Sequence, residues 1–179
     1  MTNTARIYGD SLYDLSVEES LSEAILEQMG QLRVLFAQNP DYLRLLAEPS
    51  IPLQERQGLL DASIGEGAEP YLVNFLKLLT ERGLLLEYAG CCEEFKRRYN
   101  QDHGIAEAVV TSAVALSDAQ KAKLKAKLEA ETGKEISLTY HVDPSVIAGI
   151  KVELLGKEID GTAKGHITGL SRQLQELTI

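Results

Sequence analysis

The sequence predicts a mainly α protein: an N-terminal six-helix bundle followed by a small α+β C-terminal domain. Three observations predict it. Apolar residues recur every three or four positions through the first hundred residues, in stretches separated by proline and glycine. After His103-Gly104 the apolar period shortens to two. The 179 residues are 44% hydrophobic and 25% charged, without a low-complexity tract, so the whole chain carries enough apolar surface to fold.

The first helix is marked by Ala5, Tyr8, Leu12 and Leu15, and the second by Leu21, Ile25, Met29, Leu32 and Phe36. Asn39-Pro40 reads as an N-cap followed by proline at the first helical position, opening a short helix around Leu43 and Leu46. Pro49 and Pro52 punctuate the next junction, and a fourth helix is expected from about Leu53 to Ala62. Gly65 and Gly67 break it. The fifth helix carries Tyr71, Leu72, Phe75, Leu76 and Leu79 and ends at Gly83. Leu84, Tyr88, Cys91, Phe95 and Tyr99 mark the sixth.

Beyond a boundary near residues 103–106, Ile105 to Val114 is rich in Val, Ala and Thr and reads as a strand. Ser117 with Gln120 forms a capping box for a lysine-rich helix that Gly133 stops. Ile136, Leu138, Tyr140 and Val142 alternate with polar residues as a half-buried strand, and Asp143-Pro144 turns the chain. Ile150, Val152 and Leu154 alternate again. Gly156-Lys157 reads as a tight turn, and Asp160 as the cap of a last helix with Ile167, Leu170, Leu174 and Leu177 on its core face. The expected domains are therefore 1–104 and 105–179.

Charge narrows the function. Residues 1–104 carry 9 Lys/Arg and 17 Asp/Glu, a net of −8, whereas residues 105–179 carry 9 and 10, a net of −1. An acidic first part repels phosphate backbones and anionic lipid, so neither nucleic acid nor direct lipid binding is expected. Protein surfaces are the expected partners. The longest apolar runs fall far short of the ~20 residues of a membrane span, and the N-terminus has no signal or transit pattern, which reads as cytoplasmic.

Catalytic chemistry finds little footing. His103, His141 and His166 are scattered, without metal-ligand spacing, and His141 on a strand reads as solvent-facing. Gly156-Lys157 lacks the first glycine and the Ser/Thr of a phosphate-binding loop, because Lys151 and Glu158 occupy those positions. Adjacent Cys91 and Cys92 suit neither a disulfide framework nor a metal site, and at least one belongs on a buried helix face. Lys121, Lys123, Lys125 and Lys127 spread over a solvated helix surface. Gly165 and Gly169 read as close packing of the last helix on its own strands. A small enzyme with a pocket between the two parts would need convergent polar residues at the boundary, where only Asp102 and His103 stand. A generic helical adaptor is the other alternative.

The stretch from Val142 through Asp143, Pro144 and Gly149 to Ile150, followed by Gly156, Ile159, Asp160, Gly161, Thr162 and Leu170, resembles the C-terminal motif of the ATP synthase delta subunit family. That family includes the mitochondrial oligomycin-sensitivity-conferring protein. Ala5, Tyr8, Leu12 and Tyr13 are similar to the family's opening helix, and Asn74-Phe75-Leu76 with Leu78-Leu79 and Gly83-Leu84 to its fifth-helix region. Two positions depart from the pattern: Ala148-Gly149 replaces paired glycines, and Arg82 precedes Gly83 where an arginine more often follows the glycine. Asp143, Pro144, Gly149, Gly156, Asp160 and Gly161 have turn, close-packing and capping roles of their own, and mark no active site.

The resemblance implies a non-catalytic stator subunit without a cofactor, present once per complex, at the cytoplasmic face of a bacterial plasma membrane. Its helical part would receive the amphipathic N-termini of the alpha subunits of the catalytic head, in a groove between the first and fifth helices. Tyr8, Leu12, Asn74, Phe75 and Leu78 are the residues it singles out. The C-terminal part would hold the b subunits of the peripheral stalk.

Overall fold

The computed structural model describes residues 2–65, 67–146, 149–154 and 157–160. The chain divides into two compact units, Met1–Tyr99 and Asn100–Ile179.

The first unit is built from α1 (Asn3–Glu18), α2 (Ser22–Gln38), α3 (Pro40–Ala47), α4 (Leu53–Ile64), α5 (Pro70–Glu81) and α6, which begins at Tyr88 and runs on to Asp102. One apolar core joins them. Of the stripe read for the second helix, Ile25, Met29, Leu32 and Phe36 are buried on α2 and share a core with Leu46, Leu60, Leu72, Leu76, Leu79 and Phe95, whereas Leu21 stands half-buried at its N-cap. Helix ends follow local chemistry. Gly83, at φ +68°, closes α5 as Leu84 N–H reaches back to the Leu79 carbonyl at 2.7 Å. The same closure ends α1, where Ser20 takes the left-handed conformation at φ 59° and Leu21 N–H donates to Ser16 O at 2.8 Å. No glycine announces that stop.

Two local expectations need correction. Asn39 does not cap α3 with its side chain; its amide Nδ2 donates to Leu35 O at 2.9 Å, closing the helix before it. The expected sixth helix is divided: Leu85–Glu87 form a 3-10 turn and α6 begins at Tyr88. Leu85 plugs the core at 0% exposure, and the tighter turn points it inward.

Polar groups also tie the helices together. Buried Arg56 donates to three carbonyls, Ile51 O at 3.0 Å, Leu46 O at 3.2 Å and Thr80 O at 3.4 Å, so a single guanidinium serves the ends of α3 and α5. Glu94 has a fully buried side chain, and Arg97 Nε donates to both of its carboxylate oxygens at 3.0 Å. That guanidinium holds the Glu94 carboxyl below the usual carboxylate range. The unfolded chain thus binds this proton more tightly than the folded one. Glu94 stabilises the unit fully above the ordinary carboxylate pKa of about 4.3, and the contribution disappears as pH falls through the lower folded value. Glu94→Gln is expected to flatten the acid limb of stability against pH, read as urea midpoints from about pH 5 downward.

The second unit contains β1 (Ile105–Ser112), α7 (Asp118–Thr132), β2 (Glu135–Val142), β3 (Ile150–Leu154) and β4 (Lys157–Asp160). The sheet order is β2-β1-β3-β4. β1 pairs parallel with β2 across the α7 crossover and antiparallel with β3, and β3 pairs antiparallel with β4. Ala106, Ala108, Val110, Ile136, Val152 and Leu154 form the buried face together with Leu128 of α7. Ser117 and Gln120 make the capping box, and Gly133 at φ +66° stops α7. Asp143 forms the expected turn: its Oδ1 accepts from Ser145 N–H at 2.8 Å and its carbonyl from Val146 N–H at 3.1 Å.

β4 was not foreseen. Its four residues contain one apolar side chain, too few to show a period, and pairing with β3 is what makes them a strand. Asp160 is the last residue of β4. Any cap it provides, and the expectations for Gly156, Gly161, Gly165, His166, Gly169 and the last helix, lie outside the described residues.

Candidate functional site

α1 is apolar on two faces, and each has a different fate. Ala5, Gly9, Leu12, Tyr13 and Ser16 are buried, and this side is locked to α6. Gly9 stands so close that an added Cβ would meet Cys91 O at 2.7 Å and Glu94 Cβ at 2.9 Å. Tyr13 packs edge-on to Phe95 with ring centroids 5.3 Å apart. Arg98 bridges Asp10 at 3.1 Å and Asp14 at 3.0 Å, and lies 5.2 Å over the Tyr13 ring.

The other face of α1 borders a groove of about 450 Å³ shared with α5. Ile7, Tyr8, Ser11, Leu12 and Leu15 line it from α1, and Tyr71, Asn74, Phe75 and Leu78 from α5. Both sets follow the i, i+3/i+4, i+7 step of a helix face. The structure therefore brings together all five residues singled out from the sequence: Tyr8, Leu12, Asn74, Phe75 and Leu78.

They are not equivalent. Leu12 at 2% exposure and Phe75 at 7% form the floor and belong to the core, whereas Leu78 at 38% stands on the rim. Tyr8 is half-buried and Asn74 exposed. Sequence reasoning missed Ile7, which at 53% is the most open apolar wall of the groove, and also Ser11, Leu15 and Tyr71 as lining residues. The signal was present, since positions 7, 8, 11, 12 and 15 make one wide helical stripe. The Glu19 carboxylate beside Tyr71 holds its phenol above the ordinary pKa.

Other polar candidates are not among the residues that line this groove. His103 and His141 are exposed. Both cysteines are buried, one more than the expectation required. Burial pushes the Cys91 thiol up to about 12 and the Cys92 thiol up to about 11. At pH 8 each is thiolate in well under about a hundredth of molecules, so a thiol reagent is expected to label neither until the chain is unfolded in urea. The lysines of α7 are solvated, with Lys121 paired to Asp118 and Lys125 to Glu129. Among the described residues, no group of three or more His, Cys, Asp or Glu is placed to hold a metal ion, and no helix is long and apolar enough to cross a membrane.

Fold and site define a class: a helical unit with an open, helix-sized apolar groove, joined to a small α+β unit. The family model for the ATP synthase delta (OSCP) subunit matches residues 4–174. ATP synthase subunit delta of Lactiplantibacillus plantarum is 32% identical over 168 residues, covering 93% of this chain and 92% of that protein. That of Rhizobium rhizogenes is 29% identical over 178 residues, covering 99% and 95%. The fold also matches a chain in the cryo-EM structure of the Toxoplasma gondii mitochondrial ATP synthase hexamer, with a TM-score of 0.73 and 17% identity, covering 97% of this chain and 98% of that one. The chain belongs to the ATP synthase delta (OSCP) subunit family, whose members are structural subunits of ATP synthase.

Proposed function

We propose that the chain is the stator link of an F-type ATP synthase, a non-catalytic subunit tying the catalytic head to the peripheral stalk. Family membership supports the complex, and the groove supports the mode of attachment. The observation that carries it is the convergence of Tyr8, Leu12, Asn74, Phe75 and Leu78 on one open apolar groove.

An amphipathic helix laid in a groove presents anchors at i, i+3/i+4 and i+7. From Ile7 to Leu15 the α1 wall rises by about eight residue steps, or ~12 Å at ~1.5 Å per residue, which accommodates two to three turns of a guest. The guest in this reading is the N-terminal segment of an alpha subunit, held by the helical unit 1–104. The unit 105–179 holds the b subunits of the stalk. One copy serves each complex, peripheral at the cytoplasmic face of a bacterial plasma membrane.

The role is mechanical. Proton flow turns the rotor, and torque would carry the head round unless it were tied to the membrane sector. Such a link must bind tightly; a nanomolar Kd corresponds to ~12 kcal/mol. The test is isothermal titration of the full chain with a peptide from the N-terminus of the alpha subunit of the same complex. One-to-one binding is expected, and no heat at micromolar peptide would overturn the reading.

A further inference from the structure

The two ends of the groove differ in charge. The α1 stripe that steps through residues 7, 8, 11, 12 and 15 next reaches Glu18 and Glu19, both exposed. Leu15 of α1 and Tyr71, the first lining residue of α5, line the groove together, and Glu19 stands beside Tyr71, so the C-terminal end of α1 meets the N-terminal end of α5 there. At the far end the α1 stripe runs back to uncharged Thr4, while α5 continues into Glu81 and Arg82, whose charges cancel. Glu69 at the start of α5 adds to the first end, whereas the far end carries the Glu81–Arg82 pair and Glu87, which accepts from Thr2 Oγ1 at 2.6 Å, so the Glu18–Glu19 end is the more negative of the two. Among the described residues, ion pairs engage Asp10, Asp14, Asp61, Glu93 and Glu94 and none engages Glu18 or Glu19.

We propose that the groove selects an amphipathic helix whose basic residues lie over the Glu18–Glu19 end, and that this charge fixes which way round the helix is seated. The inference rests on the groove reading above and adds the chemistry and polarity of the occupant. An apolar groove by itself holds a helix in either direction with similar burial. Charge at one end penalises the wrong direction, which is how electrostatic complementarity supplies specificity. The preference is a rim effect, so salt screens it while the apolar contacts persist.

The test uses the full chain and the N-terminal alpha-subunit peptide, titrated at about 0.01 M and about 1 M salt. The double variant Glu18→Lys, Glu19→Lys is expected to bind about tenfold more weakly at low salt and within about twofold of the unaltered chain at high salt. Asp41→Lys with Glu55→Lys changes net charge equally on α3 and α4, and is expected to leave affinity unchanged. A peptide with its Lys and Arg replaced by Glu should regain affinity for the Glu18→Lys, Glu19→Lys chain. Equal affinity of the Glu18→Lys, Glu19→Lys chain at low salt overturns the proposal, as does an equal loss in the Asp41/Glu55 pair. Failure of the groove reading looks different: the unaltered chain takes up no peptide at either salt concentration.

Discussion

Aspartate placed at Ile7 or at Leu78 is expected to abolish capture of the alpha-subunit peptide while leaving the chain folded. Both side chains stand on the rim, at 53% and 38% exposure. A carboxylate there stays hydrated in the free chain, so the loss of stability should stay within about 1–2 kcal/mol, from partial apolar burial and helix propensity. In the complex the same carboxylate is covered by an apolar guest without a partner, at a cost of several kcal/mol. That predicts a loss of affinity of about a hundredfold or more, measured by titration, with unchanged circular dichroism. Leu12→Asp and Phe75→Asp would be poor probes. Those residues form the groove floor and also belong to the core, at 2% and 7% exposure, so an unpaired charge there would unfold the unit together with the site.

The second large effect concerns two glycines whose substitution should act in opposite directions. Gly9→Ala drives a Cβ to 2.7 Å from the Cys91 carbonyl, a backbone atom held within α6. The helices must separate, and Tyr13, Phe95 and the Arg98 bridges to Asp10 and Asp14 must shift with them. Overpacking of this kind costs about 2–3 kcal/mol, or roughly 10 °C or more in the melting of a unit this size. Because α1 carries one wall of the groove, peptide affinity should fall as well. Gly30, inside α2, has nothing within 4 Å of where its Cβ would stand. Gly30→Ala is expected to stabilise by ~0.5–1 kcal/mol through backbone entropy alone, without changing binding. Equal destabilisation by both substitutions, in urea unfolding, would remove the close-approach account of Gly9.

How far the sequence could be read depended on the range of the interaction. The α2 stripe was legible because Ile25, Met29, Leu32 and Phe36 repeat at 3.6 residues, and any helix with that repeat must bury it. The capping box at Ser117 and the stop at Gly133 were legible because each involves bonds a few residues apart. Asn39 stands at the expected N-cap of α3 ahead of Pro40, but no local cue shows that its side chain donates backward to α2 instead of accepting from α3. The end of α1 was hidden because Ser20 occupies a left-handed position where glycine is usual.

The candidate site shows the same division. Its five predicted residues came from the family pattern, and the structure gathered them with four more that share the helical stripe. What no periodicity showed was which of them are floor and which are wall. Leu12 and Ile7 are both apolar and both on α1, yet one is core and the other stands half in solvent.

By itself, the sequence determined where α1 to α5 and α7 lie, the switch to strands after His103, the capping box at Ser117 and the turn at Asp143, and the family, because these rest on contacts between near neighbours or on matching residue by residue. Only the tertiary structure decided the parallel pairing of β1 with β2, the existence of β4, and the opening of a groove along α1. These depend on surfaces far apart in the chain. Gly9 lets α6 take one apolar face of α1, α5 covers only part of the other, and the surface left over is the groove.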